Sequence, residues 1–298
     1  RHTGPFWITI QAKGGWDPTL LCDPKGRLGL HDRIPVNPFF SHEIVKIGPF
    51  RSAPIEGHRA FFERFQNQLL VINGIHAGTI HPQIAARHYW SGSLQVGHPS
   101  FSALVASTAV PAPSLAYISN GGYDNSAQLV PTTRIPNTDH LQGLATPHRS
   151  VTSGDEANLF KSATWRRLQE ARKRRTQRLQ EDQILPEIRK AIERFGLARS
   201  TADGLSHLLA HLPPNLDNSK NELIRQSQIA LAGFQSGQAV SAHLTLKGNG
   251  DDPKSDASQL EVMRHIVAGI SFIMDQAETM DLANRLYILV GSELGRSA

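Results

Sequence analysis

The sequence predicts an α/β fold with a largely parallel sheet sandwiched by helices. Three observations predict it. The apolar runs alternate with helical stretches in the order strand, loop, helix, strand, helices, strand, helix, strand, which favours parallel pairing through crossovers. The runs are short and β-branched, as strands covered on both faces require. Each run also empties into a loop carrying Gly with Asp, His or Glu, and the carboxyl ends of such strands are where open α/β sheets place ligands.

Taken in order, Phe6–Ala12 is the first strand, and it ends in Lys13-Gly-Gly-Trp-Asp17-Pro18. Residues 19–56 are rich in Pro, Gly and Asp and read as irregular with short hairpins, while Gly57–Phe65 has helical apolar spacing. Leu69-Leu-Val-Ile-Asn73 reads as the second strand, followed by a loop holding His76, Thr79 and His81. Helices are expected at about 82–90 and 100–107, then a loop-rich stretch over 111–155 with a short strand near Leu115–Ile118. A charged helical insertion spans about 155–215 and stops at Pro213-Pro214. Helix 221–236, strand Ala239–Leu246, the loop Lys247–Lys254, helix 258–280 and a last strand at 286–290 complete the order.

With 298 residues, 39% of them hydrophobic, the chain can bury a sizeable core as one domain. No run of eighteen apolar residues exists, so no membrane-spanning segment is expected. A single cysteine, Cys22, excludes an internal disulfide framework. The net charge of +5 is local: residues 161–199 hold twelve Lys or Arg against five Asp or Glu, leaving about −2 elsewhere. The basic run Arg172–Arg175 reads as a solvated helix face rather than a nucleic-acid surface, since aromatic residues do not interleave with it.

Several residues could carry chemistry, and each also has a structural reading. Asp17 beside two glycines can approach a cation, or it can begin an Asp-Pro turn. His76 and His81 suit zinc, iron or manganese, with Thr79 between them as a metal-activated hydroxyl, or the loop can simply be hydrogen-bonded and cap a helix. Asp251-Asp252 suits a cation or an Asx turn, and Glu293 stands directly at the end of the last strand. Walker-type, dinucleotide-binding and Gly-x-Ser-x-Gly motifs are absent from the sequence.

Gly14-Gly-Trp-Asp17, Asp23-Pro-Lys25, Gly29-Leu-His31, Val71–His76, His81, Arg87–Gly92, Gln228–Gly237 and Ser292-Glu-Leu-Gly-Arg296 occur in one order along nearly the whole chain. Together they resemble a family of exported bacterial proteins within the alkaline phosphatase and sulfatase superfamily. The resemblance implies an alkaline-phosphatase-like fold and export, often by the twin-arginine route, to the periplasm or beyond. It also implies a divalent metal (zinc, calcium or manganese) held by Asp17, Asp252 and Glu293, with Thr79 as nucleophile assisted by His76 or His81.

The chain departs from that pattern twice. After the third strand the family shows Gly-Phe-Asp-Thr-His, where this chain has Gly248-Asn-Gly-Asp-Asp-Pro-Lys254. One alignment puts Asp252 and Lys254 in the ligand positions, the other Gly250 and Asp252; either loses a ligand. The family's later Gly-Arg-Asp-His segment has no counterpart, so the sequence reads as an incomplete domain. The expectation is a degenerate member acting as a structural or interaction subunit of a larger assembly. The alternative is a metal-dependent hydrolase of phosphate or sulfate esters.

Overall fold

The first strand explains the architecture. In the computed structural model, which describes residues 1–27, 36–135, 160–199, 201–247 and 256–294, β1 (Phe6–Lys13) lies near the middle of a five-stranded sheet. Its neighbours are β6 (Ser241–Lys247) and β7 (Leu286–Ser292), paired in register over seven positions each. β4 (Tyr117–Ser119) and β5 (Thr132–Arg134) continue the sheet beyond β6, in the order β5-β4-β6-β1-β7. Every pairing in this sheet is parallel, as expected. A separate antiparallel hairpin, β2 (Val45–Ile47) with β3 (Phe50–Ser52), falls in the irregular stretch.

The period of two sends alternate side chains to opposite faces. Phe6, Ile8, Ile10 and Ala12 of β1, with Ala242, Leu244 and Leu246 of β6, form an apolar face. It is covered by the helices that precede and follow β6, α7 (Glu222–Gln235) and α8 (Asp256–Thr279). Leu223, Ile229 and Phe234 from α7 and Met263, Ile266 and Ile273 from α8 are fully buried there. The opposite face is polar yet also buried: Thr9 and Gln11 lie beside Ser241, His243 and Thr245. It is roofed by α2 (Pro82–Ser91) and α3 (Phe101–Ser107), through Trp90, Ser102, Ala103 and Ala106.

Helix α1 (His58–Phe65) buries Phe61, Phe62 and Phe65 in the main core. The charged insertion is helical where described, as α4 (Ser162–Glu181), α5 (Pro186–Arg199) and α6 (Thr201–Leu209). Every described residue of α4 keeps some solvent exposure, as its polar composition predicts. One detail differs: Arg172 lies over the Trp165 ring at 5.5 Å, so an aromatic does accompany these cations. Among the described residues, no helix is long and apolar enough to cross a membrane.

Two sequence expectations change. β5, inside the stretch read as loop, adds a strand because Asp124 anchors it: Arg134 donates to both Asp124 oxygens at 2.9 and 2.8 Å, and Ser119 donates at 2.6 Å. Burial alone would raise the Asp124 pKa, but the hydrogen bonds from Arg134 and Ser119 hold it below the usual value. Asp124→Asn is expected to cost about 1–2 kcal/mol by urea denaturation, a modest figure because Arg134 is largely exposed.

The second change is Leu69–Asn73, which is not a strand. It runs as irregular chain outside the sheet, with Leu70 80% and Ile72 65% exposed. β7 is the last strand on that side of the sheet among the described residues, and Tyr89 of α2 lies over Gly291 on its polar face, its hydroxyl donating to the Val290 carbonyl at 3.4 Å.

Candidate active site

The loop after β1 and the end of β7 meet at the carboxyl edge of the sheet. Because Ala12 pairs with Ser292, Glu293 emerges one residue further on, beside Lys13 and Gly14. Its carboxylate is only 5% exposed and turns back toward the sheet. Oε1 accepts from the Gly14 amide at 2.7 Å, and Oε2 accepts from Gln11 Nε2 at 3.4 Å. Ser292 Oγ accepts from the Trp16 amide at 3.1 Å, so both residues clamp the same loop.

Asp17 begins the turn Pro18–Leu20. Its Oδ1 accepts from the Thr19 amide at 2.9 Å and from the Thr19 hydroxyl at 2.6 Å. Its own amide donates to Gln259 of α8 at 3.2 Å, and Gln259 donates in turn to the Gly15 carbonyl. This is the Asp-Pro turn that the sequence offered as the structural reading.

A cleft of about 540 Å³ opens beside this edge. Ser292 and Glu293 line it with Cys22, Asp23, His76, Thr79 and Tyr89, among others. The structure therefore brings Glu293, His76 and Thr79 together, while Asp17 and His81 do not line the cleft. The loop is braced from within: Gly78 N donates to His76 Nδ1 at 3.2 Å, and His81 N donates to Thr79 Oγ1 at 3.2 Å. His81 is the N-cap residue directly before α2. His88 Nδ1 donates to the Ala77 carbonyl at 2.8 Å and ties the loop to α2. Asp252 and Lys254 lie outside the described residues. Burial, reinforced by Asp23, pushes the Cys22 thiol up to about 11, which leaves it protonated and a poor nucleophile.

Among the described residues no group of three or more His, Cys, Asp or Glu is arranged to hold a divalent metal. Asp17 and Glu293 each spend an oxygen on a backbone amide, and Asp252 lies outside the described residues.

Behind Glu293 runs a buried network that the motif search missed. The Ser102 and Thr9 hydroxyls lie 2.6 Å apart, Thr9 Oγ1 is 2.6 Å from His243 Nδ1, and His243 Nε2 is 3.3 Å from Gln11 Oε1. Gln11 Nε2 donates to Glu293, so its carbonyl oxygen must accept. That oxygen also accepts from the Tyr123 amide at 3.0 Å. The chain thereby acquires one direction: His243 carries its proton on Nε2 and gives it to Gln11, while Nδ1 accepts from Thr9. His243 is completely buried, with Trp90 edge-on at 5.1 Å, and burial pushes its pKa down to about 4, so the imidazole is neutral. The signal was present in the sequence, since Thr9 and Gln11, and Ser241, His243 and Thr245, recur at period two inside apolar strands.

Comparison of the chain with protein-family models, with curated proteins and with solved structures finds no match.

Proposed function

We propose that this chain is a degenerate alkaline-phosphatase/sulfatase-like exported protein that serves as a structural or interaction subunit of a larger assembly. The motif resemblance supplies the family, and one observation supports the loss of catalysis. The Glu293 carboxylate, although it lines the cleft, spends one oxygen on the Gly14 amide and the other on the end of the Gln11 network. A carboxylate so engaged braces the loop, and a cation would have to compete with those bonds.

A second reading, a metal-dependent hydrolase of phosphate or sulfate esters, is favoured by the convergence of Glu293, His76 and Thr79 on one cleft. The two are separated by elemental analysis of the purified chain together with hydrolysis of aryl phosphate and aryl sulfate. The expected result is no stoichiometric zinc, calcium or manganese, and turnover unaltered by Thr79→Ala. Bound metal with turnover that falls at least about 100-fold in Thr79→Ala would overturn the subunit reading.

A further inference from the structure

Away from the cleft, one guanidinium is fixed in place without a partner. The backbone of Arg27 is bridged to that of Phe40: Arg27 N donates to the Phe39 carbonyl and Ser41 N to the Arg27 carbonyl, both at 3.0 Å. The bridge lays the Arg27 guanidinium over the Phe40 ring, 4.1 Å from its centre. Arg27 Nε is sealed from solvent and makes no hydrogen bond. Its Nη groups also make none among the described residues, yet they are not sealed off, so a ligand can reach them.

Arg27 lines a cavity of about 410 Å³ between Pro38–Phe40, Pro54–Glu56 and α8, and Arg264 of α8 lines it too. The ion pair of Arg264 with Glu56 is long, at 3.9 Å, and both side chains are exposed. The other acid of the cavity, Glu43, gives Oε2 to the Phe40 amide at 2.6 Å. Phe39, Ile55 and Leu260 supply apolar wall. No lining residue is shared with the cleft at Glu293.

A partly buried guanidinium has given up water, and without a partner it does not recover those hydrogen bonds. Two arginines beside apolar walls suit a planar anion with an apolar body. Charge decides which anion. Glu43 and Glu56 already balance the two arginines, so a phosphate dianion would add two negative charges to a neutral set. A carboxylate adds one, and its two oxygens match the guanidinium fork.

We infer that this cavity binds a carboxylate with an apolar body, either a small organic acid or the free carboxyl end of a peptide. Arg27 pairs the two oxygens through Nη1 and Nη2, Arg264 supplies the second cation, and Phe39, Ile55 and Leu260 cover the body. Phe40 holds the guanidinium before the ligand arrives, so little side-chain freedom is lost on binding. The site stands whatever the cleft at Glu293 does.

Titration calorimetry of the full chain with phenylacetate, and with N-acetyl-Ala-Phe bearing a free carboxyl, tests this. At least one of the two is expected to bind saturably with a Kd of about 1 mM or tighter. Whichever binds more tightly names the source of the carboxylate. Arg27→Gln is expected to weaken binding at least about tenfold, and Arg264→Gln about threefold, with urea denaturation showing that each variant folds. Arg27→Lys restores only part of the loss, because an ammonium lacks the paired donors. If Arg27→Gln does not fold, Arg264→Gln carries the test, its side chain being half exposed. Affinity unchanged in the folded variants would overturn the site. So would the absence of saturation by about 10 mM in the wild-type chain, or equal binding of inorganic phosphate or of the amidated peptide.

Discussion

Acidification from pH 6.5 to 4 is expected to remove several kcal/mol of stability, through two buried histidines. His243 and His58 each have a folded pKa pushed down to about 4 from 6.5, burial being the largest cause for both. For His243, the opposing attraction of Asp124 is outweighed by burial, and Lys13 adds to the lowering. For His58, neither ring nitrogen meets hydrogen-bond geometry; the Met263 backbone lies near enough to offset burial only in part, and Arg264 repels the cation. The sign follows from proton uptake. Above pH 6.5 both states are neutral and stability is complete. Below it the unfolded chain binds protons that the folded chain refuses, so stability falls until about pH 4, where the folded rings titrate too. Over that window each histidine accounts for roughly 3 kcal/mol. Urea denaturation at pH 7 and at pH 4.5 measures the loss, and His58→Leu should flatten the profile by about half while leaving pH 7 stability equal or higher. A profile unchanged by His58→Leu would refute the assignment.

Gly122→Ala is expected to destabilise the chain by about 3 kcal/mol, combining backbone strain with a collision in the buried network. Gly122 has a φ of +79°, in the left-handed region that favours glycine. A Cβ there would stand 2.4 Å from Gln11 Oε1 and 2.9 Å from His243 Nε2. Neither neighbour is the free end of a flexible side chain, since each is fixed by the bonds that run from Thr9 to Glu293. Gly57 provides the control: its φ is +82°, but nothing lies within 4 Å of an added Cβ. Gly57→Ala should therefore cost only the strain, about 1 kcal/mol. Equal losses for the two variants in thermal or urea denaturation would show that Gly122 acts through its backbone alone.

The candidate site divides in the same physical way. Asp17 and Glu293 were visible because a carboxylate directly after a strand must stand at the sheet's carboxyl edge. The Asp-Pro turn of Asp17 was among the readings of the sequence; what Glu293 does there was not visible. Asp17 turns to Thr19, two residues on, as an Asp-Pro turn allows, whereas Glu293 turns to Gly14, 279 positions away, a choice set by how the strands meet. His81 was drawn in by its spacing from His76, yet it is the N-cap residue before α2 and lies outside the cleft lining.

By itself the sequence determined that the chain folds as helices around a parallel sheet, because apolar runs of β length separated by helical stretches can hide both faces in no simpler way. The period of two in Thr9 and Gln11 and in Ser241, His243 and Thr245 is present in the sequence, but it became a polar face only once β1 and β6 paired. Tertiary structure alone decided that Leu69–Asn73 lies outside the sheet, since an apolar run becomes a strand only where the edge of another strand pairs with it. It decided as well that these polar residues join into one directed chain ending at Glu293. Hydrogen bonds of 2.6 to 3.4 Å between residues up to 282 positions apart are set by packing, which no local pattern encodes.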